Sequence, residues 1–256
     1  MADQSIDPAV TVTLARFLAY AVVGVGAGVL LAYLVGFVRD VAVEPDVRSW
    51  TLLGLGIGAG LVYGVAGAAN TLAPSDWLAA FAEGATLFFI LFLALAVRQL
   101  YYSGVGATQV LPTWVDTLVV ATFVGSWWTG FLLDQGLAHL VVVVGWIGAS
   151  LWALGYGVLA VRHNEGTSIA ALVRNLLPAV VAVTGVVFAD VLGTAAGYPA
   201  VVDAVWLVGT VLVGTFLFTT AIAIRQQGGE VERMYDWTTW RGERLSDDGS
   251  QTPAGD

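Results

Sequence analysis

Apolar residues along this chain fall into seven long runs separated by short polar connections. A bilayer core about 30 Å thick is crossed by a helix of about 20 apolar residues. The runs occupy residues 14–38, 50–72, 77–100, 114–133, 137–161, 172–192 and 201–224. The pattern therefore predicts an all-α integral membrane protein, a bundle of seven transmembrane helices in which sequential helices pack as antiparallel neighbours.

Composition agrees with this prediction, because 58% of the residues are hydrophobic and only 11% are charged. Residues 1–225 are expected to form one transmembrane domain, and residues 226–256 a cytoplasmic polar tail. The end of that tail, "SDDGSQTPAGD", has the composition of a disordered segment. The stretch before it, "EVERMYDWTTWRGER", has the pattern of a short helix lying on the membrane surface. The alternative is a segment that docks a membrane or cytoplasmic partner.

The arginines indicate an orientation. All ten cationic residues are arginine, and only Arg16 lies at the end of the helices where the chain begins. The other nine lie at the opposite end: Arg39, Arg48, Arg98, Arg162, Arg174, Arg225, Arg233, Arg241 and Arg244. Because Lys and Arg favour the cytoplasmic side, we predict an external N-terminus, an internal C-terminus and a multi-pass protein of the cytoplasmic membrane.

The net charge bears on the kind of organism that the protein comes from and on the partners that it binds. The net charge is −9, with no lysine and no cysteine. Acidic proteins of this kind are typical of salt-in halophilic archaea, because acidic surfaces remain soluble in molar salt. An acidic protein is poorly suited to nucleic acid, so the bilayer is the principal partner that we expect.

Seven helices, the predicted orientation and short connections within 256 residues resemble the microbial rhodopsins over about residues 14–225. Two strings contribute: "LFLALAVR" closes the third helix and "LVRNLL" opens the sixth. The resemblance implies a seventh-helix lysine that holds retinal, and this chain has no lysine. The Schiff base needs an amine, which a permanently protonated arginine does not supply.

An ungapped comparison from Arg174 and Asn175 puts Thr215 near the family's lysine position. The resemblance also implies tryptophans in the sixth helix, where this chain has "AVVAVTGVVF". Retinal is therefore not expected as a cofactor.

Polar residues cluster at the external level of the predicted bundle. Glu83 lies about two turns inside the third helix, and ionisable residues at membrane depth commonly mark functional sites. Arg16, Asn70, Asp190 and Asp203 lie at similar or shallower levels. These five are predicted to line an outward-facing pocket, a candidate ion site, with Glu83 paired to Arg16 or to a hydroxyl. The alternative is that Asp190 and Asp203 are solvated and that Arg16 extends its guanidinium to water.

The cytoplasmic half offers little polar chemistry. Asp116 lies in the first turn of the fourth helix, where a carboxylate complements the helix dipole, and it is predicted to cap that helix. The shortage of other polar groups in this half argues against a continuous transport path.

The positions of tryptophans and glycines suggest how the helices pack against one another and against lipid. Trp127 and Trp128 are adjacent, so one is expected to pack in the bundle and the other to face lipid, a partner or an apolar ligand such as a carotenoid. Tryptophans near helix ends are predicted to form interfacial belts: Trp50, Trp77, Trp114 and Trp206.

Small residues recur every four positions in the first two helices and let backbones approach: Gly24, Gly28, Ala32 and Gly36, then Gly56, Gly60 and Gly64. These faces are predicted to meet each other or a second protomer in a homo-oligomer.

Enzyme signatures are missing from the sequence. It contains two histidines and no H-E-x-x-H pair, G-x-S-x-G elbow or phosphate loop, so neither catalysis nor a metal site is predicted.

The leading hypothesis is a non-pigmented, rhodopsin-like sensor, scaffold or accessory subunit. The alternatives are an ion or proton channel or transporter using Glu83, and a carotenoid-binding membrane protein.

Overall fold

The described part of the chain consists of seven α-helices and their connections. The computed structural model describes residues 8–41, 47–105, 112, 114–133, 135–165 and 168–235, and these contain no strand. The helices are α1 (Pro8–Val41), α2 (Val47–Leu72), α3 (Asp76–Val105), α4 (Trp114–Leu133), α5 (Gln135–His163), α6 (Ser168–Ala196) and α7 (Pro199–Tyr235). All seven are long and apolar enough to cross a membrane. The predicted seven-helix bundle is confirmed.

Six of the helices close a ring. α1 packs against α2 and α7, α2 against α3, α3 against α5, α5 against α6, and α6 against α7. The backbone of α4 packs closely on α5 and approaches that of α3 at few points, so α4 meets α3 through large side chains such as Trp127 and Phe131. Accordingly, 72% of the membrane-spanning window of α3 is buried, against 17% for α4.

The expectation that sequential helices are packed neighbours holds for α3 and α4 only through long side chains, because their backbones approach closely at few points. Small residues of α5 at intervals of four, Gly145, Ala149 and Ala153, let α3 approach α5 closely. Ala149 and Ala153 lie in the same core cluster as Leu91 of α3, and a Cβ on Gly145 would meet Leu87. This close contact leaves α4 at the outside of the bundle.

The alternating helices define two ends of the bundle. We call the end where α1, α3, α5 and α7 begin the N-terminal end, and the other the C-terminal end. α7 continues to Tyr235, ten residues past the predicted domain boundary at 225. The predicted surface helix from residue 230 is described only as far as this end of α7, and residues 236–256 lie outside the described part of the chain.

The glycine-rich faces of α1 and α2 meet in part, as predicted. A Cβ on Gly64 would lie 2.6 Å from the Cα of Gly24 and 2.8 Å from the carbonyl oxygen of Tyr20. A Cβ on Gly28 would lie 3.6 Å from Leu61. The two backbones therefore cross in close contact near Gly24 and Gly64.

The other two α2 glycines lie closer to α3. A Cβ on Gly56 would meet Leu93 and Phe89 of α3, and one on Gly60 would meet Phe89 of α3 and, at 3.7 Å, Ala27 of α1. Successive positions four apart drift around a helix, because four residues exceed one turn of 3.6. The glycine row consequently passes from α1 to α3, and homo-oligomerisation through these helices stays a prediction.

Candidate functional site

A cavity of about 330 Å³ opens inside the ring of six helices. Every ring helix contributes to its wall. The lining residues are Tyr20 and Val23 of α1; Gly60, Tyr63 and Asn70 of α2; Ala79, Ala82, Glu83, Thr86 and Phe89 of α3; Trp146 of α5; Val183, Val186, Val187 and Asp190 of α6; and Trp206, Thr210 and Val213 of α7. Most of these lie in the half of the bundle nearer its N-terminal end.

Two carboxylates lie in this cavity. Glu83 of α3 and Asp190 of α6 are both partly buried, and both line it. No basic side chain occurs among the described residues of the wall. Asn70 also lines it, and its Oδ1 accepts a hydrogen bond of 2.9 Å from the backbone N–H of Ser75 in the α2–α3 connection. The structure thus brings three of the five predicted pocket residues together.

Arg16 and Asp203 lie apart from the cavity. The Arg16 Nη2 donates to the Asp203 Oδ1 at 2.7 Å, and the side chains are 45% and 64% exposed. This pair links α1 to α7 on the bundle surface, in agreement with the alternative that Asp203 is solvated, whereas Asp190 lines the cavity. Arg16 thus pairs with Asp203, where the sequence suggests Glu83 or a hydroxyl as a partner. Exposed ion pairs contribute little stability.

An aromatic wall is the part of the site that sequence reasoning missed. The Tyr20 ring lies edge-to-face with Tyr63, with centroids 5.2 Å apart, and with Trp206 at 5.1 Å. Trp206 was predicted to be a belt residue, but it lines the cavity. The signal was its spacing: Trp206, Thr210 and Val213 stand at i, i+4 and i+7, which is one face of a helix.

Thr215 lies on the outer side of α7. Its side chain is exposed, and its hydroxyl donates to the carbonyl of Val211 on the same helix at 2.8 Å. Thr215 is two residues, or about 200°, beyond the cavity-lining Val213. A side chain at this ungapped position would therefore point away from the cavity.

Trp127 and Trp128 point in different directions, as predicted. Trp127 is 2% exposed and Trp128 is 38% exposed. The Trp127 ring lies directly on Gly84 of α3 and stacks on Phe131 with centroids 5.5 Å apart. A contact with lipid, a partner or an apolar ligand is thus open to Trp128 rather than to Trp127, and that role stays a prediction.

The cap prediction for Asp116 is incomplete, because the residue belongs to a buried polar cluster. Arg98 of α3 donates to Asp116 Oδ1, and Gln99 Nε2 donates to Oδ2 at 2.5 Å. Arg98 and Asp116 are 0% and 2% exposed. Arg48 of α2 approaches the same carboxylate at 3.9 Å. The expectation of few polar groups in this half of the bundle is therefore wrong.

The spacing of residues on one face of α3 could have predicted that Arg98 is buried, but the sequence analysis did not use it. Arg98 shares a face of α3 with the buried residues Leu87, Leu91 and Ala94, at spacings of four, three and four. Charged residues on the buried face of a span pair with one another or with backbone carbonyls, and Asp116 is the first acidic residue after Arg98.

Comparison of the chain with family models, with curated proteins and with solved structures gives no match. The chemistry of the site is therefore inferred from its own residues.

Proposed function

We propose that this chain is a non-pigmented, rhodopsin-like membrane protein that binds a small cation in the cavity and acts as a sensor or accessory subunit. The observation that carries the proposal is the pair of carboxylates, Glu83 and Asp190, on a wall whose described residues include no basic side chain. Carboxylates in surroundings of low dielectric constant attract a cation more strongly than they do in water.

The position of the cavity favours sensing. A ligand there would touch six helices at once, and a ligand that prefers one helix arrangement shifts the population toward it. α3 carries both Glu83 and, fifteen residues later, Arg98, a separation of about 22 Å at 1.5 Å per residue. One helix thus joins the cavity to the Arg98–Asp116 pair near the other end. With the predicted orientation, the ligand would enter from outside.

Cation binding is testable with the full-length protein in lipid nanodiscs. Thermal stability is measured at constant ionic strength against increasing Na⁺, K⁺, Ca²⁺, guanidinium and choline. At least one cation should raise the melting temperature in a saturable way. Glu83→Gln and Asp190→Asn should remove that shift, and Asp203→Asn, a surface carboxylate at the same end, should keep it. The proposal fails if no cation gives a shift that depends on Glu83.

Transport is a second candidate function, favoured by the buried cluster of Arg98, Gln99 and Asp116. It supplies polar groups in the half where the sequence suggested a shortage. The α3 side chains between the cavity and this cluster include the buried apolar residues Ile90, Leu93 and Leu95, so transport would require the helices to rearrange. Cation flux in proteoliposomes that Glu83→Gln abolishes would favour a transporter, whereas binding without flux would favour a sensor.

An apolar ligand is favoured by a different observation. A second cavity of about 200 Å³ lies between α3, α4 and α5, and its wall is apolar except near Asp116. Leu91, Phe123 and Trp152 are among its lining residues. Its chemistry suits a section of a carotenoid or lipid chain. A structured visible spectrum in protein purified from its native membrane would support the carotenoid.

A further inference from the structure

Aromatic rings surround the two carboxylates of the larger cavity. Five aromatic side chains line it: Tyr20, Tyr63, Phe89, Trp146 and Trp206. They come from five helices and line the same cavity as Glu83 and Asp190. Since aromatic faces carry negative potential, the rings and the carboxylates attract the same kind of ligand.

Three of these rings are held in place before any ligand arrives. Tyr20 is edge-to-face with Tyr63 and with Trp206, at interplanar angles of 68° and 62°. The Tyr20 ring also rests against Gly67 of α2, where any Cβ would overlap it. Rings fixed in this way lose little conformational entropy when a ligand binds.

The combination of rings and carboxylates distinguishes between kinds of cation. A metal cation such as Ca²⁺ binds through six to eight oxygen ligands at short distance. An alkylammonium group carries its charge under methyl or methylene groups, is weakly hydrated, and binds over aromatic faces within about 6 Å of the ring centroid. A cavity of about 330 Å³ lies at the small end of ligand pockets, which suits a compact cation.

We propose that the cavity binds a small alkylammonium cation bearing a methylated nitrogen. The faces of Tyr20, Tyr63 and Trp206 contact the methyl groups, and Glu83 and Asp190 balance the charge. This inference rests on the proposed cation-binding function and names the class of cation.

The test compares choline with its uncharged isostere 3,3-dimethylbutan-1-ol by isothermal titration calorimetry on the full-length protein in nanodiscs. Choline should bind at least tenfold more tightly than the isostere, because only the charge differs. Trp206→Leu should weaken choline binding about tenfold, whereas Trp206→Phe, which keeps a ring, should weaken it less. Trp77→Leu is the matched control. Trp77 is an exposed tryptophan at the same end of the bundle, and its loss should leave choline affinity unchanged.

The outcomes separate this inference from the proposed function. Glu83-dependent binding of Na⁺, K⁺, Ca²⁺ or guanidinium, with choline no tighter than its isostere, overturns the alkylammonium inference and leaves cation binding intact. Choline binding that Glu83→Gln abolishes but Trp206→Leu does not change removes the aromatic contribution and also overturns it. The absence of binding by every cation tested overturns both. Folding of each variant is checked by its melting temperature without ligand.

Discussion

Arg98 of α3 donates a hydrogen bond to Asp116 of α4, and both side chains are buried. The other contacts between the two helices are largely aromatic, such as the edge-to-face pair of Trp77 and Phe131 with centroids 4.8 Å apart, so this ion pair, with Gln99 beside it, is the main polar connection among the described contacts. A buried charge without its partner is costly, and each residue therefore holds the other in the bundle.

Breaking this pair should strongly destabilise the protein. Asp116→Asn is expected to lower the free energy of unfolding by about 3–5 kcal/mol, because Arg98 would remain buried without its counter-charge. Asp203→Asn is the control, since it breaks the exposed pair with Arg16 and should change stability by about 1 kcal/mol or less. Reversible unfolding in mixed micelles measures both. The Arg98→Met, Asp116→Leu double variant should recover part of the loss. Equal effects of Asp116→Asn and Asp203→Asn would contradict this account.

The crossing of α1 and α2 should not tolerate a methyl group at Gly64. A Cβ there would lie 2.6 Å from the Cα of Gly24, so the backbones would have to separate. Gly64→Ala should destabilise the protein by about 1–3 kcal/mol. Gly58→Ala on the same helix meets open space and should be neutral or slightly stabilising, since alanine favours helix. Unfolding measurements that rank the two variants the other way would disprove the crossing.

α7 is tied to α6 by a hydroxyl group. Thr220 Oγ1 lies 3.0 Å from the carbonyl oxygen of Asn175 in α6 and 2.7 Å from that of Phe216 in its own helix, so its proton is shared between the two acceptors. Thr220→Val should cost about 0.6–1.7 kcal/mol, the usual range for interhelical hydrogen bonds in membranes. The exposed neighbour Thr219 bonds only to its own helix in the contacts described, and Thr219→Val should have little effect. The comparison of their unfolding free energies fails if the two losses are equal.

The predicted orientation can be tested with single cysteines, because the natural chain has none. Ser75→Cys lies at the exposed N-terminal end of the bundle and Glu165→Cys at the exposed C-terminal end. A membrane-impermeant maleimide added to intact cells should label the first variant at once and the second only after lysis. The reverse result would place the arginine-rich end outside, and a ligand would then enter the cavity from the cytoplasmic side.

The purified protein should show no retinal-derived absorption band, with or without added retinal. The chain has no lysine for a Schiff base, and an amine is required for that bond. The measurement is a visible spectrum before and after hydroxylamine. A band that hydroxylamine bleaches would refute the expectation, whereas a structured carotenoid spectrum that survives it would not.

The sequence predicted the features that depend on position along each helix. Seven apolar runs specify seven spans, because a bilayer accepts only helices of sufficient length with satisfied backbones. Asn70, Glu83 and Asp190 share one cavity because they lie at a similar depth in antiparallel spans. The different directions of Trp127 and Trp128 follow from the 100° between successive residues.

The tertiary structure alone decided which helix each face meets. The rotation of α7 about its own axis, its azimuth, decides which of its side chains face α1 and the cavity. This rotation places Trp206 in the cavity wall and Asp203 beside Arg16. Arg98 contacts Asp116 because α3 packs on α5 within the ring of six helices and α4 lies on the outside of that ring. Helix neighbours are chosen by van der Waals fit between small and large side chains, and that fit depends on pairs of faces far apart in sequence. Depth in the membrane can therefore be predicted from one helix at a time, whereas azimuth requires the whole bundle.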